Sequence, residues 1–95
     1  MTLDPQIIAE LCRKNGITRL RVFGSYARGD QSPQSDLDLI ADFAEIPTLL
    51  DIVRIERQFA EVLGVPVDLF TDASISSYLR ERIMREAKEL YERAA

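Results

Sequence analysis

Apolar and polar positions alternate along this chain with two different periods, and each period predicts one kind of secondary structure. Helical spacing of apolar residues begins after Asp4-Pro5, where Asp4 can cap free amides and Pro5 takes the first helical position. Asn15-Gly16 is a typical helix end, so the first helix is predicted between these two pairs. The apolar run at residues 20–23 then predicts a short strand that leads directly into Gly24-Ser25.

The period changes to two between residues 36 and 43, which predicts a second strand with unlike faces. Before it, residues 26–28 are predicted to form one helical turn, and residues 29–35 are predicted as a loop because they are rich in turn formers. Alternation places Leu37, Leu39, Ala41 and Phe43 on an apolar face, and Asp36, Asp38, Ile40 and Asp42 on the other face. The second strand therefore has an acidic opening on one side.

Two helices and one strand are predicted in the remaining chain. Pro47-Thr48 and Asp51 are the start signals of a long helix, which Gly64 ends. Residues 65–70 predict a third strand. A last helix is predicted to start at Asp72 or Ser74, and its apolar positions are expected to face the core: Ile75, Leu79, Ile83, Ala87, Leu90 and Tyr91.

Together these elements predict an α/β (α+β) fold with a small mixed β-sheet. We expect three to four strands, with the helices packed on one face of the sheet. The stretch at residues 44–64 is long enough to hold a crossover helix between parallel strands. A chain of 95 residues with 46% apolar content suffices for one core, so residues 1–95 are predicted to form a single domain.

Charge and composition narrow the classes of partner and metal. The net charge of -4 makes a long nucleic acid an unfavourable partner, because such binders usually present a basic surface. The chain has neither a signal-peptide layout nor a run of about 20 apolar residues, so we expect a cytoplasmic protein without a membrane partner. Cys12 is the only cysteine and is predicted to pack as a small buried hydrophobe. Without histidine, any metal is held by oxygen, which favours magnesium or manganese.

Three aspartates are the candidate metal ligands. Asp36 and Asp38 are two positions apart on a predicted strand, so their side chains point to the same side. Like charges about 4 Å apart repel by roughly 4 kcal/mol near a protein surface, and a divalent cation is the simplest remedy. Asp68 joins the pair if its strand lies beside residues 36–43, and it is then placed to accept the proton of an attacking hydroxyl.

The Gly24-Ser25 pair is the candidate phosphate-binding element. Gly24 allows close backbone approach, Ser25 offers a hydroxyl and an amide, and Arg28 adds positive charge one turn later. Nucleotidyl transfer needs such an element beside two metal ions about 3.5 to 4 Å apart, which activate the nucleophile and support the leaving pyrophosphate. Alone, an Asp-x-Asp is more often exposed edge charge and a Gly-Ser is usually a turn. The combination of both motifs with Asp68 is what indicates a metal-dependent nucleotide-transfer site.

These motifs carry a family resemblance. Gly-Ser-Tyr-Ala-Arg-Gly, Ser-Asp-Leu-Asp-Leu and Val-Asp-Leu-Phe resemble the minimal nucleotidyltransferases (MNT) of the DNA polymerase beta superfamily. The resemblance implies a nucleotidyltransferase-like fold with Asp36, Asp38 and Asp68 as catalytic and metal-binding residues, two Mg²⁺ ions, and ATP as substrate. It also implies an antitoxin of a type VII-like pair, which transfers AMP to a tyrosine of a HEPN-domain ribonuclease toxin and so blocks it.

The length of the chain indicates which kind of acceptor the site can use. Larger relatives carry an added domain that shapes an acceptor pocket, whereas this sequence contains only the nucleotide-handling core. A protein that presents its own hydroxyl therefore suits the site better than a small molecule, although a homo-oligomer could supply the missing wall. Two alternatives stay open: a non-catalytic antitoxin that inhibits by binding, and a nucleotidyltransferase that acts on a small molecule or an RNA end.

Overall fold

The computed structural model describes residues 3–94 and centres on a four-stranded mixed sheet. The strands are β1 (Ile17–Phe23), β2 (Leu37–Phe43), β3 (Val67–Thr71) and β4 (Lys88–Glu92), in the spatial order β3-β2-β1-β4. The helices are α1 (Pro5–Lys14), α2 (Ser25–Arg28), α3 (Leu49–Leu63) and α4 (Ser77–Glu86), with a 3₁₀ turn at Asp72–Ser74. β1 is antiparallel to β2 and β4, whereas β2 and β3 are parallel. The predicted mixed α/β fold is confirmed, but the helices do not all lie on one face, because Met84 of α4 contacts Arg21 on the side of β1 opposite the core.

The first helix begins and ends as its sequence predicts. The Asp4 side chain accepts a hydrogen bond from the Gln6 amide at 2.9 Å, and Asn15 forms the C-terminal cap. Its buried residues are Ile8, Leu11 and Cys12. Burial raises the pKa of the Cys12 thiol to about 12, so the thiol stays protonated and packs as a small apolar group.

The long helix α3 forms the crossover between the parallel strands β2 and β3. Thr48 and Asp51 form a reciprocal capping box at its start, and Gly64 ends it in the left-handed conformation with φ of 73°. Only Ile55 and Phe59 of this helix are fully buried. No helix within residues 3–94 has both the length and the apolar character needed to cross a membrane.

The two faces of the sheet have different roles. The core face carries side chains from β1, β2 and β3 that pack against α1, α2 and α3: Leu20, Val22, Leu37, Leu39, Ala41, Val67 and Leu69. The alternate residues project from the opposite face, where Asp38 lies across from Phe23 on one side and Asp68 on the other. The strand register thus places the predicted acidic residues away from the core.

The C-terminal part of the chain differs from its prediction. The expected last helix stops at Glu86, and Lys88–Glu92 instead forms β4 along the open edge of β1. Leu90 and Tyr91 do pack against the core, but they do so from a strand. The helical reading was wrong because the hydrogen bonds that β1 offers along its edge are a tertiary feature, and they override the local periodicity.

Candidate active site

The parallel pairing of β2 with β3 brings the acidic residues together. Asp38 is the direct register partner of Asp68, and Asp36 immediately precedes β2. The negative charge of Asp36 acts on the pKa of both Asp38 and Asp68, so the three carboxyl groups lie within electrostatic range of one another. Three acidic residues from two adjacent segments therefore lie near the end of β1.

Burial and mutual repulsion change the protonation of this acidic group. The pKa of Asp38 is raised, first by desolvation and then by the negative charges of Asp68 and Asp36. The pKa of Asp68 is also raised, first by desolvation and then by the charges of Asp36 and Glu56. The site therefore favours either protons or a bound cation.

The acidic group fits magnesium by the chemistry of its donors. Within residues 3–94, no three or more Asp, Glu, His or Cys side chains are already arranged as a metal-binding cluster. The three carboxyl groups instead influence one another through their negative charges. Asp36 is exposed, so its side chain can rotate toward Asp38 on the fast timescale of surface rotamers. Three carboxylates supply the oxygen ligands that Mg²⁺ takes, and a cation relieves their repulsion.

Gly24 is required by two independent features of the backbone. It follows β1 directly and adopts φ of 73° with ψ of -151°, a region that is essentially restricted to glycine. A Cβ atom at this position would lie 2.5 Å from Oδ2 of Asp38. The side chain of Asp38 therefore approaches the backbone at Gly24 closely, while the approach of a phosphate there stays a prediction.

Ser25 and Arg28 form the two ends of the short helix α2. Arg28 donates from Nε to Oδ2 of Asp30 at 3.2 Å and from Nη1 to Oε1 of Glu86 at 2.9 Å. These hydrogen bonds raise the pKa of Arg28, whose positive charge in turn acts to lower the pKa of Asp38. The guanidinium thus lies within electrostatic range of the acidic group, beside the turn at Gly24.

Two glutamates near the site were not predicted from the sequence. Glu86, the last residue of α4, accepts a hydrogen bond from the Gly24 amide at 2.8 Å. Glu56 of α3 accepts one from the Leu69 amide at 2.8 Å, on β3 at the edge of the sheet. Both residues read in sequence as ordinary polar positions of helices. Only the packing of those helices shows that each one fixes the backbone next to a functional side chain.

The raised pKa of Asp38 predicts an unusual effect of substitution on stability. A carboxyl group whose pKa in the folded state exceeds its ordinary value of 3.8 loses its favourable contribution as the pH rises through the raised pKa. We therefore expect Asp38→Asn to increase Tm near pH 7 in metal-free buffer. The gain should disappear below pH 3.8, where the aspartate is protonated in both states.

Asp51 supplies a control of opposite sign for this measurement. Its pKa is lowered, chiefly by the hydrogen bond from the Thr48 backbone amide, so its charged form stabilises the fold. Asp51→Asn should decrease Tm near pH 7, and the difference should vanish as the pH falls through the lowered pKa. Equal losses of Tm in the Asp38 and Asp51 variants near pH 7 would contradict the assignment of repulsion at Asp38.

Comparison with known proteins places this fold and acidic site in one class. A family model for the nucleotidyltransferase domain matches residues 5–90. The chain therefore belongs to the nucleotidyltransferase domain family, and it is a nucleotidyltransferase.

Curated relatives share most of the chain. The protein adenylyltransferase MntA of Thermococcus cleftensis is 39% identical over 77 residues, which are 81% of this chain and 78% of the relative. MJ0435 of Methanocaldococcus jannaschii, named provisionally as a protein adenylyltransferase, is 42% identical over 83 residues, which are 87% of this chain and 89% of the relative. Both matches extend over the strands and turns that carry the acidic site.

Solved structures of similar fold come from toxin–antitoxin complexes. One was crystallised with AMP-PNP; its matching chain has a TM-score of 0.83 and 27% identity, with coverage of 95% of this chain and 74% of that one. Another is a complex of a tri-AMPylated HEPN toxin of Shewanella oneidensis with an MNT antitoxin. Its TM-score is 0.72 at 23% identity, with coverage of 93% of this chain and 69% of that one. The second likeness concerns the fold alone.

Proposed function

We propose that this protein is a cytoplasmic, Mg²⁺-dependent protein adenylyltransferase and the antitoxin of a toxin–antitoxin pair. Its substrates are ATP and a tyrosine of a HEPN-domain toxin. The observation that carries the proposal is the convergence of Asp36, Asp38 and Asp68 beside the Gly24-Ser25 turn. Relatives named protein adenylyltransferases, and structural neighbours from toxin–antitoxin complexes, support the choice of acceptor.

Each residue of the site has a part in the transfer. Asp36, Asp38 and Asp68 would hold Mg²⁺, which would neutralise charge on the triphosphate and activate the attacking oxygen. Ser25 and Arg28 bind phosphate oxygens through a hydroxyl and a positive charge. Asp68 accepts the proton of the tyrosine hydroxyl. The tyrosine oxygen bonds to the α-phosphorus, the bond from that phosphorus to the bridging oxygen breaks, and pyrophosphate leaves.

The exposure of the site favours a protein as the acceptor. Asp36 is exposed, and Asp38 and Asp68 are only partly buried, on the sheet face that lies opposite α1 and α3. A small-molecule acceptor is usually held in a pocket that buries most of its surface. A partner protein brings its own surface and needs only to place a hydroxyl next to the acidic group.

The test uses the proposed partner, a HEPN-domain toxin, which is to be sought in the gene next to this one. Incubation of the two purified proteins with ATP and Mg²⁺ should increase the mass of the partner by one or more AMP groups. Mass spectrometry of the intact partner, followed by peptide mapping, should locate the groups on tyrosine. A folded, active partner that gains no mass would contradict the proposal, and so would label that appears on RNA instead of protein.

A second candidate is an antitoxin that inhibits by binding alone. Exposed apolar side chains at the start of α3 favour a protein-binding surface there, since Ile46, Leu49 and Leu50 are 98%, 79% and 80% exposed. In that case, Asp38→Asn should neutralise the toxin as well as the wild type does, without ATP. If inhibition requires both ATP and Asp38, binding alone is excluded as the mechanism.

A further inference from the structure

A single carboxylate oxygen joins the two elements that are proposed to receive the triphosphate. Oε1 of Glu86 accepts one hydrogen bond from the Gly24 amide at 2.8 Å and another from Nη1 of Arg28 at 2.9 Å. The Glu86 side chain is 21% exposed, compared with 47% for Arg28. The carboxylate thus lies behind the guanidinium, on its more buried side.

The backbone at Glu86 is held from both directions. Preceding it, α4 contacts β1 through Met84, whose Sδ lies 3.3 Å from Nη1 of Arg21. Following it, Lys88 is already paired with Val22 in the β4–β1 ladder. Only Ala87 separates Glu86 from that pairing, so helix and strand together fix where its carboxylate can reach. Glu86 is therefore preorganised to support the groups that it contacts.

The Gly24 amide and the Arg28 guanidinium have different numbers of N–H groups, so they can serve different purposes. A backbone amide carries one proton, so the Gly24 N–H is committed to Glu86 and holds the turn that presents Ser25. Arg28 has five N–H groups, of which one bonds Asp30 and one bonds Glu86. The remaining N–H groups of Arg28 are available to phosphate oxygens, with the plane of the guanidinium already set.

We propose that Glu86 is a positioning residue for the nucleotide, which holds the Gly24-Ser25 turn and Arg28 in the conformation that receives the triphosphate. The inference rests on the proposed function, because it assigns a support to the same phosphate-binding elements. It gives α4 a task in nucleotide binding that is separate from the acidic group on β2 and β3. The negative charge of the partly buried Glu86 is matched by Arg28 and by the Gly24 amide.

The variants Glu86→Ala, Glu86→Gln and Glu81→Gln test this role. Glu81 lies exposed on the same helix and serves as the matched control. The probe is the Mg²⁺ complex of α,β-methylene-ATP, whose α–β bridge cannot be cleaved, and its Kd is measured by isothermal titration calorimetry without any acceptor protein. We expect Glu86→Ala to raise Kd about tenfold, because a charge-assisted pair is lost. Glu86→Gln should raise it less, since its Oε1 still accepts from the Gly24 amide, and Glu81→Gln should leave it unchanged.

Two further measurements distinguish positioning from a purely structural role: the KM values of the transfer reaction and the NMR resonance of the Gly24 amide. The KM for ATP should rise in the order wild type, Glu86→Gln, Glu86→Ala, while the KM for the acceptor protein stays constant. The ¹⁵N–¹H resonance of Gly24 should shift upfield in Glu86→Gln, because its acceptor loses the negative charge. If Glu86→Ala does not fold, Glu86→Gln alone decides, since the amide preserves shape and acceptor.

The outcomes separate this inference from the proposed function. Unchanged Kd and KM in a folded Glu86→Gln, or tighter nucleotide binding, would overturn the positioning role; tighter binding would instead make Glu86 a competitor of the phosphates. If the wild-type protein binds the probe and modifies its partner, the proposed function stands in either case. A wild-type protein that binds no nucleotide overturns both.

Discussion

Replacing Asp38 by asparagine should reduce AMP transfer by roughly 10³-fold while the fold is retained. Asp38 is the central member of the acidic group, since it pairs in register with Asp68 and its Oδ2 packs against Gly24. The amide keeps the shape but loses the charge that is proposed to hold Mg²⁺. The measurement is kcat/KM for ATP with a constant concentration of acceptor protein, accompanied by Tm for each variant.

Asp42→Asn is the matched control for this loss. Asp42 lies on the same strand and the same face as Asp38, and it is also partly buried, but its register partner is Arg19. The same chemical change there should leave kcat/KM within about twofold, as expected for a polar position outside the site. An Asp38→Asn protein that transfers AMP at a rate close to that of the wild type would show that Asp38 does not take part in the reaction.

Alanine at Gly24 should impair both activity and stability. The added Cβ would meet Oδ2 of Asp38 at 2.5 Å, so either the acidic side chain or the turn before Ser25 must move. A displacement of about 1 Å in a catalytic arrangement can cost about 100-fold in rate, and we expect a loss of at least that order. Activity is measured as transfer to the acceptor, and stability as the free energy of unfolding in urea.

Gly64→Ala separates backbone strain from the clash at the site. Gly64 has the same φ of 73° as Gly24, but nothing lies within 4 Å of a Cβ added there. Its left-handed conformation should cost about 1–2 kcal/mol with a side chain present, and transfer should be unaffected. Gly24→Ala should be the less stable of the two, because it adds a steric clash to the strain. Equal stability of the two variants, together with full activity of Gly24→Ala, would contradict the role assigned to the contact with Asp38.

The acidic group is the part of the site that the sequence predicts best. Alternation along β2 is enough to place Asp36 and Asp38 on one side, because side chains of a strand alternate by geometry alone. The position of Asp68 depended on which strand lies beside β2. A crossover helix between residues 44 and 64 favours parallel neighbours, and the register of β2 with β3 satisfies that condition. The functions of these residues stay predictions until the variants are measured.

The role of α4 could not be predicted from the sequence in the same way. Its local pattern suits an amphipathic helix that continues into Leu90 and Tyr91, whereas the chain leaves the helix after Glu86 to complete the sheet. Hydrogen bonds to the free edge of β1 decide this outcome, and they join residues about 70 positions apart, such as Arg19 and Glu92. The contact of Glu86 with Gly24 follows from that pairing, so no local pattern could have indicated it.

The apolar residues of α3 show a similar limit. Leu49 and Leu50 are as hydrophobic as Ile55, yet they are largely exposed while Ile55 is buried. Sequence predicts that a helix forms here through its capping box and terminal glycine, which are local features. Which apolar side chains face the core depends on how the helix lies across β2 and β3.

The most direct test of nucleotidyl transfer at this acidic site follows two labelled nucleotides. ATP labelled at the α-phosphate should transfer its label to a tyrosine of the partner protein in the presence of Mg²⁺, and the label should be absent with Asp38→Asn. ATP labelled at the γ-phosphate should leave the partner unlabelled, because that phosphate departs with pyrophosphate. Transfer of the γ-label, or equal transfer of the α-label by wild type and Asp38→Asn, would contradict the assignment of the reaction to this site.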